Sequence, residues 1–174
     1  MKLKIILTIT MLSLLFGCKT KSPLSTVDDV DLKKYMGKWY EIARFDHSFE
    51  RNLKCVSATY SLQENGKVKV LNEGFNSKKE KWESANGIAK VPNSSKPGEI
   101  KVSFFRPFYG DYFVIKLDEE YKHVLVGSPT RDYLWVLSRS QSMDKETYNQ
   151  YLIYAKENGF DVSKLELIPQ DCVK

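Results

Sequence analysis

Short runs of alternating apolar and polar residues follow one another from position 37 onward, with turn-forming residues between them. A period of two is typical of strands that bury one face. The turn Glu64-Asn65-Gly66-Lys67 is a strong hairpin signal, because Asn-Gly suits the tight turns that join antiparallel strands. Eight strands are predicted, over residues 39–45, 56–63, 68–75, 82–91, 100–105, 112–117, 123–127 and 133–138.

Short loops and the lack of helical intervals predict that these strands form an antiparallel up-and-down meander. A meander of this length avoids exposed edges by closing into a barrel. One helix is predicted after the eighth strand, with Asp144 as its N-cap and Asn158-Gly159 at its end. Its apolar face is expected to cover the outer wall of the barrel, and residues 165–168 favour a last short strand. That face is formed by Tyr148, Tyr151, Leu152 and Ala155.

The first residues predict an export signal. A basic start precedes an apolar run over residues 5–16, which is too short to span a bilayer and is typical of a signal-peptide core. The run ends in Leu15-Phe16-Gly17-Cys18, which resembles the lipobox of bacterial lipoproteins. That resemblance implies cleavage before Cys18 and acylation of its side chain and amino group. The alternative is an ordinary cleaved signal followed by a chance cysteine.

The N-terminal pattern divides the chain into a signal peptide (residues 1–17), a lipidated tether (18–30) and one barrel domain (31–174). Lys19 stands where an inner-membrane retention signal has aspartate, so the outer membrane, with the domain facing the periplasm, is the expected location. The formal net charge of +5 comes from basic residues scattered among acidic ones, which does not favour nucleic acid as a partner.

Cys55 and Cys172 remain after Cys18 is assigned to the anchor. An even pair in an oxidising compartment favours a disulfide that would tie the last residues to an early strand. Two buried free thiols are the alternative. No metal site is expected, because neither cysteine has a close cysteine or histidine companion.

Longer segments carry a family resemblance. Gly37-Lys38-Trp39-Tyr40 near the start of the barrel, with Arg139 after its eighth strand, resembles the signature of the lipocalins. The segments YMGKWYEIARFDHSFERNL, ATYSL, KVSFFRPFYGDY, RDYLWVLSR and GFDVSK extend that similarity from about residue 32 to 165. The resemblance implies an all-β, eight-stranded up-and-down antiparallel barrel with one C-terminal α-helix packed on its outside. It also implies that Trp39 and Arg139 stack at the closed end, and pairing of Cys55 with Cys172 resembles a bridge found in some lipocalins.

The resemblance further implies a cavity that holds one small apolar ligand. Carrying family positions across one by one places the side chains of Tyr60, Asn72, Tyr112, Val114 and Trp135 inside the barrel. Such a lining suits a fatty acid or a lysophospholipid. The implied function is non-catalytic storage or transport of such lipids for outer-membrane maintenance. In the alternative, these aromatics are packed core, and a filled barrel serves as a protein-interaction module of the envelope.

Two loops are predicted at the rim of the open end. Residues 46–54 would form a lid that carries Phe49 and Leu53. Residues 104–110 place four aromatics around Arg106, whose guanidinium could meet a phosphate or carboxylate head group. This aromatic cluster would either be exposed, towards a membrane, a partner subunit or a ligand tail, or fold down as a plug.

No catalytic pattern is present in the sequence. His47 and His123 lack catalytic spacing, and no G-x-S-x-G elbow, H-E-x-x-H pair or phosphate loop occurs. The protein is therefore expected to be a binding protein without enzymatic activity or cofactor. Its expected partners are an amphipathic lipid and the outer membrane, and a homodimer is left open.

Overall fold

The computed structural model describes residues 22–172, so the predicted signal peptide and Cys18 lie outside the described residues. Two helices, nine strands and one short 3₁₀ turn make up this part of the chain. In chain order they are α1 (Leu32–Tyr35), β1 (Gly37–Phe45), β2 (Leu53–Leu62), β3 (Val68–Asn76), β4 (Lys81–Lys90), β5 (Glu99–Phe105), β6 (Phe108–Leu117), β7 (His123–Gly127), β8 (Leu134–Ser138), α2 (Lys145–Glu157), the 3₁₀ turn Val162–Lys164 and β9 (Leu165–Leu167).

The strands form a closed antiparallel barrel, as predicted. Neighbours from β2 to β8 pair in chain order, and β1 closes the cylinder by pairing with both β8 and β2. Gly37 to Tyr40 face Tyr60 to Ser57 of β2, whereas Ala43 to Phe45 pair with β9. Eight strands therefore form the wall, and β9 extends it outside the ring.

The ladder between β4 and β5 is the shortest in the wall of the barrel. The pairing of β3 with β4 runs from Val68 to Asn76, but β4 pairs with β5 only over Ile88–Lys90. Above that point the ring of Phe104 stands against Gly87, where a Cβ atom would come within 2.9 Å of the ring. The β4–β5 ladder thus stops at Ile88, and next to it the Phe104 ring packs on the backbone of β4 at Gly87.

The predicted loop over residues 104–110 is wrong in its extent. β5 continues to Phe105 and β6 begins at Phe108, so Arg106-Pro107 alone make the turn, with a cis peptide bond between them. Phe105 pairs directly with Phe108. The sequence pattern was misleading because a proline and a run of aromatics suggested a longer loop, whereas aromatic residues are also good strand formers.

Two apolar clusters form the core. One fills the interior of the barrel at the end where β1 begins, and includes Trp39, Tyr60 and Val114. The other lies between the outer wall and α2, where Tyr151 and Ala155 are buried. The Asp144 carboxylate accepts a hydrogen bond from the Thr147 amide and caps α2. The helix therefore packs outside the barrel through its predicted face.

Arg139 closes the filled end. Its guanidinium carbon lies 3.8 Å from the centroid of the Trp39 ring, and its nitrogens donate to the main-chain carbonyls of Lys34, Tyr35, Lys38 and Tyr121. The Trp39 indole donates to the carbonyl of Tyr35 at 2.9 Å. One side chain thus joins α1, β1 and the β6–β7 connection across the base of the barrel.

A disulfide joins Cys55 to Cys172, which excludes the alternative of two free thiols. The C-terminal segment also pairs with the strands beside it. The Cys55 amide donates to the carbonyl of Pro169, and the Gln170 side chain donates to the carbonyls of Glu41 and Val56. Residues 169–172 are therefore fixed against β1 and β2.

Residues 22–30, which belong to the predicted tether, lie against the barrel. Leu24 and Val30 are buried, and the Val27 amide donates to the carbonyl of Val114. The carbonyl of Ser22 accepts a hydrogen bond of 2.7 Å from the Arg131 guanidinium. Within residues 22–172, no helix has both the length and the apolar character needed to cross a membrane.

Removing the Arg139 guanidinium should destabilise the barrel. We expect Arg139→Ala to lower the free energy of unfolding by about 2–4 kcal/mol, because a cation–π contact is lost and several carbonyls lose their donor. Urea denaturation of the unacylated chain (residues 18–174 with Cys18→Ser) measures this. Arg106→Ala, at an exposed turn, is the matched control and should change stability by less than about 0.5 kcal/mol. Equal effects of the two substitutions would contradict this role of Arg139.

Candidate functional site

A cavity of about 820 Å³ occupies the half of the barrel opposite Arg139. It opens between the loops over residues 46–52, 77–80, 106–107 and 128–133. Its size lies within the range of small-molecule sites. Most of the wall is apolar or aromatic. The lining includes Phe49, Leu53, Val56, Ala58, Tyr60, Val70, Asn72, Val102, Phe104, Phe105, Phe108, Tyr109, Tyr112, Tyr133, Trp135 and Leu137.

Two tyrosines, Tyr60 and Tyr112, belong to the floor of this cavity, and a third, Tyr35, is hydrogen-bonded to Tyr112 outside the lining. The Tyr60 hydroxyl donates to that of Tyr112 at 3.0 Å, and the hydroxyls of Tyr35 and Tyr112 are 2.8 Å apart. Burial raises the pKa of all three phenols well above the ordinary value. The floor is therefore uncharged, and its hydroxyls satisfy one another where the filled core begins.

A cluster of four buried ionisable residues stands at one wall, and two of them, Glu41 and Glu50, line the cavity. Glu41 and Arg44 come from β1, and His47 and Glu50 come from the loop after it. Arg44 donates to the Glu41 carboxylate at 2.7 Å and to the main-chain carbonyl of Glu50 at 2.7 Å. His47 Nε2 lies 3.0 Å from the Glu50 carboxylate. We refer to these residues as the Glu41–Glu50 cluster.

The surroundings shift the pKa values of the two carboxyl groups of this cluster in opposite directions. Burial, followed by the nearby charge of Glu50, raises the pKa of Glu41 well above its usual range despite Arg44. Burial also opposes ionisation of Glu50. However, the hydrogen bond and charge of His47, together with Arg44 and the Trp135 indole, outweigh it and lower the pKa of Glu50. Glu50 is thus the stronger acid of the pair.

The chain matches the model of the lipocalin-like domain over residues 30–170. It belongs to the lipocalin family. This lipocalin is 44% identical over 171 residues to the outer membrane lipoprotein Blc of Citrobacter freundii. The match covers 97% of each chain. It is 38% identical to temperature-induced lipocalin-1 of Arabidopsis thaliana, over 86% of this chain and 84% of that one. Insecticyanin from the tobacco hornworm Manduca sexta has the same fold, with a TM-score of 0.69 over 87% of this chain and 85% of that one, at 22% identity.

Four of the predicted ligand-binding residues line the cavity of this lipocalin, namely Tyr60, Asn72, Tyr112 and Trp135. The Oδ1 atom of Asn72 is buried and has no hydrogen-bond partner among the described residues, which is unusual for a buried polar atom. The part of these four residues in ligand binding stays a prediction.

Val114 and Arg106 do not line the cavity. Val114 is fully buried in the filled core, because its position on β6 lies closer to the closed end than that of Tyr112. Arg106 is exposed in the β5–β6 turn, and the residues on either side of the two-residue turn, Phe105 and Phe108, pair with each other. Alternation along a strand indicates the side on which a residue lies but not its depth in the barrel.

The rim carries exposed aromatic side chains. Phe105 and Phe108 are 82% and 78% exposed, and Phe49 on the first loop is 60% exposed. The aromatic turn is therefore exposed rather than folded into the mouth. Phe49 stacks on His47 with ring centroids 3.8 Å apart, which places the first loop directly over the Glu41–Glu50 cluster.

Sequence reasoning missed the Glu41–Glu50 cluster. Its members recur at every third position from 41 to 50, a spacing that fits neither face of a regular strand. A bulge between Glu41 and Ala43 changes the register of β1 there and helps to turn these side chains towards one another. The available signal was a run of charged residues inside an otherwise apolar strand and its loop.

The raised pKa of Glu41 predicts that its contribution to the free energy of unfolding depends on pH. A carboxyl group whose pKa is raised on folding stabilises the native state below its ordinary value near 4.5, and that contribution is lost as the pH rises. The stability advantage of the native chain over Glu41→Gln should therefore be largest near pH 4 and shrink towards neutral pH. Urea denaturation of both chains at several pH values tests this.

Glu83→Gln provides the control with the opposite sign. The hydrogen bond from Lys79 lowers the pKa of Glu83, so this substitution should become more costly as the pH rises. A stability difference for Glu41→Gln that is constant or grows with pH would contradict the ionisation behaviour inferred for Glu41.

Proposed function

We propose that this lipocalin binds, stores or transports small amphipathic lipids, such as a fatty acid or a lysophospholipid, without catalysing a reaction. The observation that carries the proposal is the cavity of about 820 Å³, which is open at one end and lined mainly by apolar and aromatic residues. Such a site removes an acyl chain from water while the polar head stays near the mouth. A filled barrel, the expectation of the interaction-module alternative, does not fit this cavity.

The proposed location is the outer membrane, where the chain is anchored through acylated Cys18 and faces the periplasm. The relatives from Citrobacter freundii and Escherichia coli are named outer membrane lipoproteins, and both cover 97% of this chain. The lipobox-like segment before Cys18 supports the same location. Maintenance of that membrane is the role that we infer for the bound lipid.

Native mass spectrometry of the unacylated chain, purified without detergent, tests the proposed binding. We expect a co-purified fatty acid or lysophospholipid, and we expect Trp135→Ala to lower its affinity about tenfold because an aromatic wall contact is lost. Trp82→Ala is the matched control, since Trp82 lies outside the cavity beside Phe75. A native chain that is empty and also refuses added lipids would reject the proposal.

The N-terminal segment supports an orientation for the anchored protein. Ser22 is held by Arg131, which belongs to the loop that also supplies Ser128 and Thr130 to the cavity. Cys18 precedes Ser22 by four residues, a reach of at most about 14 Å. We infer that the acyl chains enter the membrane beside the open mouth, so that Phe105 and Phe108 face the lipid surface.

This orientation can be measured with tryptophan quenching by brominated phospholipids. Phe108→Trp places a reporter at the mouth, and Asn65→Trp places a matched one at the opposite end. In acylated protein bound to vesicles, we expect the added fluorescence of Phe108→Trp to be quenched and that of Asn65→Trp to persist. Equal quenching, or quenching of Asn65→Trp alone, would reject the orientation.

A further inference from the structure

The pairing between β1 and β2 stops partway along the barrel. Its last pair is Tyr40 with Ser57, and above that point β1 pairs with β9 instead. Residues 41–45 of β1 and 53–56 of β2 therefore lack a common ladder, at the place where the first loop (residues 46–52) joins the two strands. Another part of the chain must hold this stretch of the wall together.

Residues 168–172, which we call the C-terminal strap, lie in this gap. The first amide of the strap donates to the carbonyl of Ile42 on β1 at 2.9 Å, and the Cys55 amide on β2 donates to a strap carbonyl at 2.8 Å. The Gln170 side chain reaches a carbonyl on each strand, at 2.8 and 2.9 Å. The strap thus replaces the missing ladder, and the disulfide fastens its end to β2.

Cys55 has a backbone conformation that is unfavourable for its residue type. Its φ of 54° lies in the left-handed region, which strains a residue that carries a Cβ atom. It also lies in a bulge, because Lys54 pairs with Phe75 whereas Ser57 pairs with Glu73, so that two residues of β2 face one of β3. Glycine is the usual residue at a left-handed bulge position. The disulfide and the strap therefore hold β2 in a strained form where the first loop ends.

This strained segment adjoins the mouth of the cavity. Leu53, two residues before Cys55, lines the cavity, as do Phe49 and Glu50 of the first loop. The Arg44 guanidinium donates to the carbonyls of Glu50 and Leu53, at 2.7 and 3.2 Å. The loop and the start of β2 are thus held to β1 as one unit. A change in the path of β2 at the bulge would shift that side of the mouth.

We propose that the Cys55–Cys172 disulfide is a redox-sensitive latch on the cavity mouth. In the oxidised chain it holds the strap, the bulge and the first loop in place. In the reduced chain the strap is released, β2 relaxes at the bulge, and the first loop loosens. The inference goes beyond the proposed lipid binding, since it concerns how the mouth is held and not what enters it.

The reductant required is a dithiol. Its thiolate attacks the sulfur of Cys172, which is more exposed than Cys55, and the Cys55 sulfur leaves as a thiolate. The second thiol of the reductant then attacks the mixed disulfide and releases the Cys172 thiolate. The reductant is oxidised to a disulfide, and the protein gains two electrons and, on protonation of both sulfurs, two protons.

The contacts of the closed end do not involve this latch. There β1 and β2 pair through residues 37–40 and 57–60, and Arg139 stacks on Trp39. Reduction should therefore loosen the mouth and leave the closed end folded. This difference between the two ends distinguishes a latch from a disulfide that stabilises the whole barrel.

Hydrogen–deuterium exchange of the unacylated chain, followed by mass spectrometry, tests the latch. Cys55 and Cys172 are the only cysteines of that chain, so dithiothreitol acts on one disulfide. We expect reduction to speed amide exchange about tenfold in residues 46–56 and in the strap, because the free energy of local opening falls there. Exchange in residues 57–62 and 134–138 should stay unchanged.

Two double variants separate the cross-link from the strain that it holds. Cys55→Ser with Cys172→Ser should show the fast exchange of the reduced chain, with or without dithiothreitol. Cys55→Gly with Cys172→Ser also lacks the cross-link, but glycine adopts the left-handed conformation freely. It should therefore keep the bulge and exchange more slowly in residues 46–56 than the serine variant. Equal exchange in the two variants would contradict the role of the strained bulge.

Three results of the exchange measurement would overturn the proposal. They are a disulfide that dithiothreitol does not cleave while the barrel is folded, exchange that is unchanged once two free thiols are counted, and exchange that rises equally at both ends. Release of bound 11-(dansylamino)undecanoic acid, displaced by excess oleate, gives a second readout. We expect this release to be about tenfold faster from the reduced chain, and an equal rate would reject the loosening of the mouth. A chain that binds neither lipid would reject the proposed function, and the exchange measurement would still decide on the latch.

Discussion

The stacking of Arg139 on Trp39 is the contact on which the asymmetry of the barrel depends. An eight-stranded barrel is either filled by side chains or wide enough for one small ligand. Here the guanidinium, the indole and helix α1 close one end, and the large side chains of the interior collect above them. The open volume is therefore confined to the other end, where the loops are.

The open half contains groups that a filled core would not tolerate. Burying a carboxylate is unfavourable unless it is paired, and removing one partner of a buried pair leaves a costly uncompensated charge. The Glu41–Glu50 cluster places two carboxylates in the cavity wall beside aromatic rings, and the buried Oδ1 atom of Asn72 has no hydrogen-bond partner among the described residues. The stability of the closed end offsets these local penalties.

The sequence was informative where a local pattern determines the structure. Alternating residues predicted all eight strands, Asn65-Gly66 predicted a hairpin, and Asp144 and Gly159 predicted the bounds of α2, because each depends on a few neighbouring residues. The depth of a residue in the barrel and the convergence of side chains at one site do not depend on neighbouring residues alone. The interior position of Val114 was predicted, but its place in the filled end depends on how far each strand extends. The convergence of Glu41 and Glu50 requires a bulge and a loop that no periodicity encodes.

The short pairing between β4 and β5 bears on where the cylinder can widen. Along most of the cylinder, widening would require breaking backbone hydrogen bonds, but above Ile88 the two strands are separated by the ring of Phe104 standing on Gly87. Rotation of that side chain breaks none of the backbone pairs of the β4–β5 ladder, and side-chain rotations are far faster than unfolding. The cylinder is therefore most easily widened at this seam, in the side wall rather than at the mouth.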